Sequence, residues 1–141
     1  MSISVTLSFR WPMGHRILGL EGEGSKCRNI HGHNWTADVE LPNDDGELEF
    51  GEVKRALGDW IEGVLDHGFL VEDSDPFRAY LMEHELKHYT IVGPPTTEAV
   101  CELLAHQCHR LLHVSPLKVH VLEGYRNAAT WYQDVTLKGF R

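Results

Sequence analysis

The residues best suited to chemistry lie in the stretch Cys27-Arg28-Asn29-Ile30-His31-Gly32-His33, which sets a thiol four residues ahead of a His-Gly-His pair. In an extended segment, residues two apart leave the backbone on the same side, so His31 and His33 would present two imidazoles together. Gly32 lets the backbone come close to whatever the rings hold. A catalytic zinc site uses three protein ligands and keeps a further position open for water or substrate. The third ligand has to come from elsewhere, and His15 is the best upstream candidate. Cys27 offers either a fourth ligand, which would close the site, or a thiolate base or nucleophile beside it. The alternative is a surface loop with two solvated histidines.

The elements that must position these residues follow from the alternation of apolar side chains. Residues 2–10 place Ile3, Val5, Leu7 and Phe9 on one face and predict a strand. Pro12 and Gly14 interrupt it, His15 follows, and the Gly-rich residues 16–30 read as a loop. Arg10, Arg16, Lys26 and Arg28 make that region locally basic, suited either to an anionic substrate or to solvation as loop charges. Residues 34–41 alternate again, through Trp35, Ala37, Val39 and Leu41. Asn43-Asp44-Asp45-Gly46 signals a hairpin and so predicts a short returning strand over 47–50. Residues 51–64 carry Val53, Leu57, Trp60, Ile61 and Val64 at helical spacing. Asp66 and His67 follow, read from the local sequence as a helix end stopped by Gly68 or, if the chain turns there, as a pair serving one site.

Residues 75–88 predict a less regular second helix. It contains His84-Glu85-Leu86-Lys87-His88, a literal H-E-x-x-H, which on a helix would face two imidazoles the same way. Lys87 inside the motif brings a like charge to any metal there and argues against that use. Gly93-Pro94-Pro95 ends any strand over 89–92. Thr96-Thr97-Glu98 opens the longest helix, over 97–113, with a threonine cap and an acid at its positive end. Cys101 and Cys108 read as core thiols, and His106, His109 and His113 as a helix surface. Strands are predicted over 117–123 and 128–137, with 139–141 a tail. Glu123 ends an apolar face, so its carboxylate is satisfied by a partner, used on a ligand, or turned to solvent.

The whole chain, 141 residues with 42% hydrophobic and 24% charged residues, reads as a single domain over 1–141. Its net charge of −8 argues against nucleic acid as a partner. No apolar run approaches a membrane span and no signal peptide is read at the start. Three cysteines at these spacings give no disulfide framework, which points to a reducing, cytoplasmic compartment.

Taken in order, His15, Cys27-x-x-x-His31-Gly-His33, Leu-Asp66-His67, Pro95-Thr96-Thr97-Glu98 and Val-x-Val-x-Glu123 resemble the 6-pyruvoyltetrahydropterin synthase superfamily. The short gap between Cys27 and His31 is similar to its bacterial 6-carboxytetrahydropterin synthase branch, of the queuosine pathway. The resemblance implies an α+β tunnelling fold: a four-stranded antiparallel sheet with two long helices packed on one face. It also implies a homohexamer, built as a dimer of trimers, with active sites between subunits. By the same resemblance, His15, His31 and His33 are zinc ligands and Cys27 is the catalytic proton acceptor. Asp66 and His67 relay the proton, and Glu123 anchors a pterin. Thr96, Thr97 and Glu98 lie near the pterin pocket, and Phe50 helps enclose the ring from a neighbouring subunit. The implied reaction converts 7,8-dihydroneopterin triphosphate to 6-carboxytetrahydropterin, acetaldehyde and triphosphate. A pyruvoyl or hydroxymethyl product is the alternative within the family, and a zinc- or pterin-binding module without turnover the alternative outside it. The family's Phe-x-Ala-Ala-His is Trp11-Pro12-Met13-Gly14-His15 here, its Asp-Phe is Glu49-Phe50, and the Thr after the anchoring Glu is Gly124. None of these departures removes an implied ligand or catalytic group.

Overall fold

A computed structural model describes residues 2–134. One sheet is built from β1 (Ser4–His15), β2 (His31–Pro42), β3 (Gly68–Glu72), β4 (His88–Ile91), β5 (Lys118–Glu123) and β6 (Asn127–Tyr132), in the order β4-β3-β1-β2-β5-β6. The expected four-stranded antiparallel unit is β1-β2-β5-β6. Two short strands extend it: β3 runs parallel to the end of β1, and β4 parallel to β3. Helix α1 spans Phe50–Trp60 and widens into a single π turn, Ile61–Leu65. Helix α2 is short (Phe77–Glu83), and α3 is the longest (Thr97–Leu112). No helix among the described residues is long and apolar enough to cross a membrane.

The odd-numbered residues of β1 (Leu7, Phe9, Trp11, Met13) and of β2 (Trp35, Ala37, Val39, Leu41) face one way. With Val119 and Val121 of β5 they are buried under α1 and α3. The helices contribute Val53, Leu57, Ile61 and Leu65, then Val100, Leu104 and Cys108. Both long helices therefore cover the same face of the sheet. α3 is held at its start by the Thr96 hydroxyl, which accepts from the Ala99 amide at 3.1 Å.

Several sequence expectations are corrected. β1 does not stop before Pro12 but runs to His15. The Pro12 carbonyl points away from β2 and accepts from the His67 amide at 2.9 Å. A strand residue's N–H and C=O share a side, so the donor that proline lacks falls on the outer edge, where β3 has not yet begun to pair. Gly14 follows because Phe69 of β3 lies against it: a Cβ there would come within 2.7 Å of the ring. Residues 47–50 form no strand. The Asn43–Gly46 turn exists, but Asn43 Oδ1 accepts from the Leu48 amide and leads the chain into α1 at Phe50. The predicted 75–88 helix is confined to Phe77–Glu83. Glu85 has a φ of 53°, and His88 opens β4, so the H-E-x-x-H residues share no helix face. β6 covers the start of the predicted 128–137 strand; positions 135–137 and the tail at 139–141 lie outside the described residues.

Arg16, read from sequence as suited either to an anionic substrate or to solvation, is engaged inside the fold. Its guanidinium donates to both oxygens of Asp75, at 2.8 and 2.5 Å, and Asp75 Oδ1 also accepts from the Phe77 amide at 2.8 Å. Asp75 is 4% exposed, and the Arg16 bonds hold its carboxyl below the usual carboxylate range. A depressed folded pKa means the stabilisation is complete above the unfolded value of about 3.9 and is lost as pH falls through the folded one. Asp75→Asn is expected to lower unfolding stability by roughly 2–3 kcal/mol at pH 7, since it leaves a half-buried guanidinium unpaired. Urea melts of both proteins should show that gap narrowing below about pH 4.

Candidate functional site

Register builds the site. β1 pairs with β2 so that His15 lies opposite His31 and Met13 opposite His33. All three histidines continue the buried apolar rows, at the end of the sheet where those rows finish. Their ring centroids are 4.6 Å (15–31), 5.2 Å (15–33) and 4.9 Å (31–33) apart. One nitrogen from each ring lies within 4.8 Å of the other two. Trp35 forms the floor, edge-on to His15 and His33 at 5.1 and 5.7 Å, and its indole N–H donates to the Met13 carbonyl at 3.0 Å.

The ring orientations are set by backbone carbonyls. His15 Nδ1 meets the Pro95 carbonyl at 2.8 Å, and His31 Nδ1 meets that of Asn29 at 2.7 Å. A carbonyl only accepts, so each Nδ1 carries the proton and each Nε2 presents a lone pair. The Nε2 atoms of His15 and His33 are buried and have no hydrogen-bond partner. Burial pushes the pKa of both rings below the ordinary histidine value; for His15, the Pro95 hydrogen bond and Glu123 oppose that shift, and for His33, Glu123 does. Two buried, unpartnered imidazole nitrogens converging with a third ring nitrogen within 4.8 Å are what a divalent zinc-type cation requires, so the residues present fit such an ion.

Glu123 reaches this cluster from β5, where the register sets it opposite Trp35. Its Oε1 lies 3.4 Å from His33 Nε2 and its Oε2 3.9 Å from His15 Nε2, beyond hydrogen-bond length. Oε2 accepts from the Thr97 hydroxyl at 2.7 Å, so the first turn of α3 aims the carboxylate. Thr96 is spent on capping that helix, and Glu98 is exposed beside it.

The remaining candidates are not part of the three-histidine cluster. Cys27 is half-buried in a 3-10 turn, Gly22–Arg28, and its thiol is not part of the ligand cluster. Its carbonyl accepts from the Ile17 amide at 2.8 Å, which ties the loop back just past His15. Asp66 and His67 do form a pair, with His67 Nδ1 at 2.8 Å from Asp66 Oδ2, but the imidazole is 78% exposed. His67 borders a cleft of about 400 Å³ that is also lined by Pro12, Gly14, Gly32, Asn34 and His33, so it shares that cleft with one of the three clustered histidines. Phe50 is half-exposed at the start of α1. The orienting carbonyls of Asn29 and Pro95 and the Trp35 floor were not legible from residue types, because they depend on which backbone atoms the fold brings past the rings.

The comparisons with known proteins agree with one another. A sequence-family model described as 6-pyruvoyl tetrahydropterin synthase matches residues 4–134. A curated relative from Halobacterium salinarum, named "Probable 6-carboxy-5,6,7,8-tetrahydropterin synthase", is 34% identical over 118 residues, covering 78% of this chain and 73% of its own. The 6-carboxy-5,6,7,8-tetrahydropterin synthase of Aquifex aeolicus is 28% identical over 124 residues, covering 72% and 76%. Among solved structures, an uncharacterized protein from Wolinella succinogenes superposes with a TM-score of 0.77 at 22% identity, over 95% of this chain and 99% of its own. The 6-pyruvoyl tetrahydropterin synthase of Caenorhabditis elegans gives 0.68 at 17% identity, over 95% and 97%. At these identities the structures establish the fold, which is the tunnelling fold.

Purified chain titrated with zinc is expected to bind one ion per chain. His15→Ala or His33→Ala should reduce metal content, measured by elemental analysis, by about tenfold or more. The double variant His84→Ala/His88→Ala should leave it unchanged. Ellman's reagent should find one fast thiol, Cys27, in the native protein. Cys101 and Cys108 are buried, which pushes their pKa values up to about 11 and about 12, and they should react only after denaturation.

Proposed function

The chain belongs to the 6-pyruvoyl tetrahydropterin synthase family, and on that footing we propose that it is a zinc-dependent 6-carboxy-5,6,7,8-tetrahydropterin synthase. The reaction is the conversion of 7,8-dihydroneopterin triphosphate to 6-carboxytetrahydropterin, acetaldehyde and triphosphate, in 7-deazaguanine or queuosine biosynthesis in the cytoplasm. The observation that carries this reading is the pair of buried, unpartnered Nε2 atoms of His15 and His33, converging with His31 beside the Thr97-aimed carboxylate of Glu123. The names of the curated relatives favour the 6-carboxy product over a pyruvoyl or hydroxymethyl one.

His15, His31 and His33 would hold the zinc. Bound there, zinc would supply Lewis-acid stabilisation of charge on the substrate's side-chain oxygens. Glu123 would grip the guanidine-like edge of the pterin through paired hydrogen bonds, with Thr97 keeping one carboxylate oxygen in place and Thr96 and Glu98 framing the pocket. Cys27, as thiolate, would accept the proton from the substrate carbon. His67 would exchange that proton through Nε2, since Nδ1 is committed to Asp66.

Cys27 and the Asp66–His67 pair would meet across a boundary between copies, within a hexamer of two trimers, with Phe50 closing over the ring from a neighbour. Two unpaired sheet edges support this assembly. β3 pairs with the outer edge of β1 only over Met13–His15, and the outer side of β6 carries no strand among the described residues. Such edges invite a further copy.

The zinc-loaded protein incubated with 7,8-dihydroneopterin triphosphate should yield a 6-carboxytetrahydropterin and acetaldehyde, identified by mass. A pyruvoyl or hydroxymethyl product would move the branch, and no turnover with stoichiometric zinc would leave a binding module. Cys27→Ala is expected to keep its zinc while kcat falls about 10²-fold or more. Loss of the metal in that variant would make the thiol a ligand instead.

A further inference from the structure

Lys87, the basic residue inside the H-E-x-x-H lookalike, has no part in the proposed reaction. Its Nζ donates to the Asp66 carbonyl at 2.5 Å and to the Glu62 carbonyl at 2.9 Å. These carbonyls lie in the π turn that ends α1 and at the residue just after it, where a cation is electrostatically favoured. The chain then makes a sharp elbow. Asp66 is extended, with a ψ of 127°, and His67 has a φ of 59°, a left-handed conformation uncommon for a residue with a Cβ. Such a conformation persists where neighbouring groups over-determine it.

Here the neighbours are specific. The Asp66 amide donates to the Ile61 carbonyl at 2.9 Å, and the His67 amide to the Pro12 carbonyl at 2.9 Å. Lys87 engages both sides of His67: its side chain holds Asp66, and its own carbonyl accepts from the Phe69 amide at 3.1 Å. The lysine stem passes directly over Gly68, where a Cβ would lie 3.3 Å from Lys87 Cγ and 3.1 Å from the Leu65 carbonyl. Glycine at 68 leaves that path open.

We propose that Lys87 is a positioning residue for the Asp66–His67 pair, clamping the elbow so that the exposed His67 imidazole is held at a fixed angle for proton exchange. This rests on the role given to His67 in the proposed reaction. Lys87 touches neither substrate nor metal in this assignment and acts only through the backbone of residues 62–68.

The test compares Lys87→Met, Lys87→Arg, His67→Ala and the double variant Lys87→Met/His67→Ala, using 7,8-dihydroneopterin triphosphate as substrate. Zinc content is measured alongside, with amide hydrogen exchange at Asp66 and His67. Lys87→Met is expected to lower kcat about tenfold or more with KM and zinc unchanged, and to speed exchange at the His67 amide. Lys87→Arg, which keeps a donor there, should recover most of the rate. The double variant should be no slower than His67→Ala alone, because Lys87 acts through that residue. Wild-type kcat in Lys87→Met, a loss fully additive with His67→Ala, or unaltered exchange at the elbow would each overturn the assignment. Wild-type turnover in His67→Ala would instead overturn the role of His67 itself, while the exchange measurement still reports whether Lys87 fixes the elbow.

Discussion

The structure depends on the register of β1 against β2. Twelve residue pairs run from Ser4↔Pro42 to His15↔His31, and side chains alternate between faces along both strands. The pairing that buries Leu7, Phe9, Trp11 and Met13 against Ala37, Val39 and Leu41 is the same pairing that sets His15 beside His31. A slip of one residue would turn the row of the shifted strand toward solvent and part His15 from His31. Each large apolar side chain buried contributes about 1.5–3 kcal/mol. Burying a neutral imidazole nitrogen without a partner costs about 1–3 kcal/mol on mutational scales. Six large apolar side chains therefore outweigh two orphaned nitrogens, and hydrophobic burial holds the three rings in an arrangement they would not choose alone.

That arrangement also decides the state of the rings. Placed at the end of an apolar row, His15 and His33 lose hydration, and the neutral form is favoured. The polar demand is then met selectively. The carbonyls of Pro95 and Asn29 take the Nδ1 protons of His15 and His31, and the unmet remainder is the buried, unpartnered Nε2 of His15 and of His33. Glu123 arrives through the second register, that of β2 with β5, and the Thr97 hydroxyl steadies it at the positive end of α3. The two registers and one helix start thus deliver a charge-poor donor cluster with a single carboxylate at its rim.

The four antiparallel strands and both long helices were legible because each buries one face and so shows a period. His31, His33 and Glu123 could be placed because they sit at the ends of such rows. β1 beyond Phe9 was harder. Trp11, Met13 and His15 keep the alternation, but Pro12 and Gly14 read as breakers, and only the outward-facing backbone of Pro12 and the Phe69 ring over Gly14 explain why they are not. β3 carries no alternating signal in the sequence, because Phe69, Leu70 and Val71 are all buried. The hairpin reading of Asn43–Gly46 failed for a related reason. The turn is real, but the course of the chain beyond it is set by the packing of α1 on the sheet and not by the turn residues. The H-E-x-x-H match failed because a motif carries its chemistry only on a helix, and α2 ends at Glu83.

The position of His67, outside the three-imidazole cluster but on a cleft that His33 also lines, is itself a consequence of this architecture. β3 protects the outer edge of β1 only from Met13 onward, and the next carbonyl, that of Pro12, is taken by the His67 amide. The elbow therefore stands at the point where the paired part of that edge gives way to the open part. A strand from a second copy adding to β1 below Pro12 would end against His67, bringing its own residues to an imidazole already turned to solvent and paired with Asp66. In the proposed assembly, a fixed elbow at that boundary matters more than contacts within the chain. The pair has to meet groups it does not pack with, so its geometry must come from the backbone that carries it.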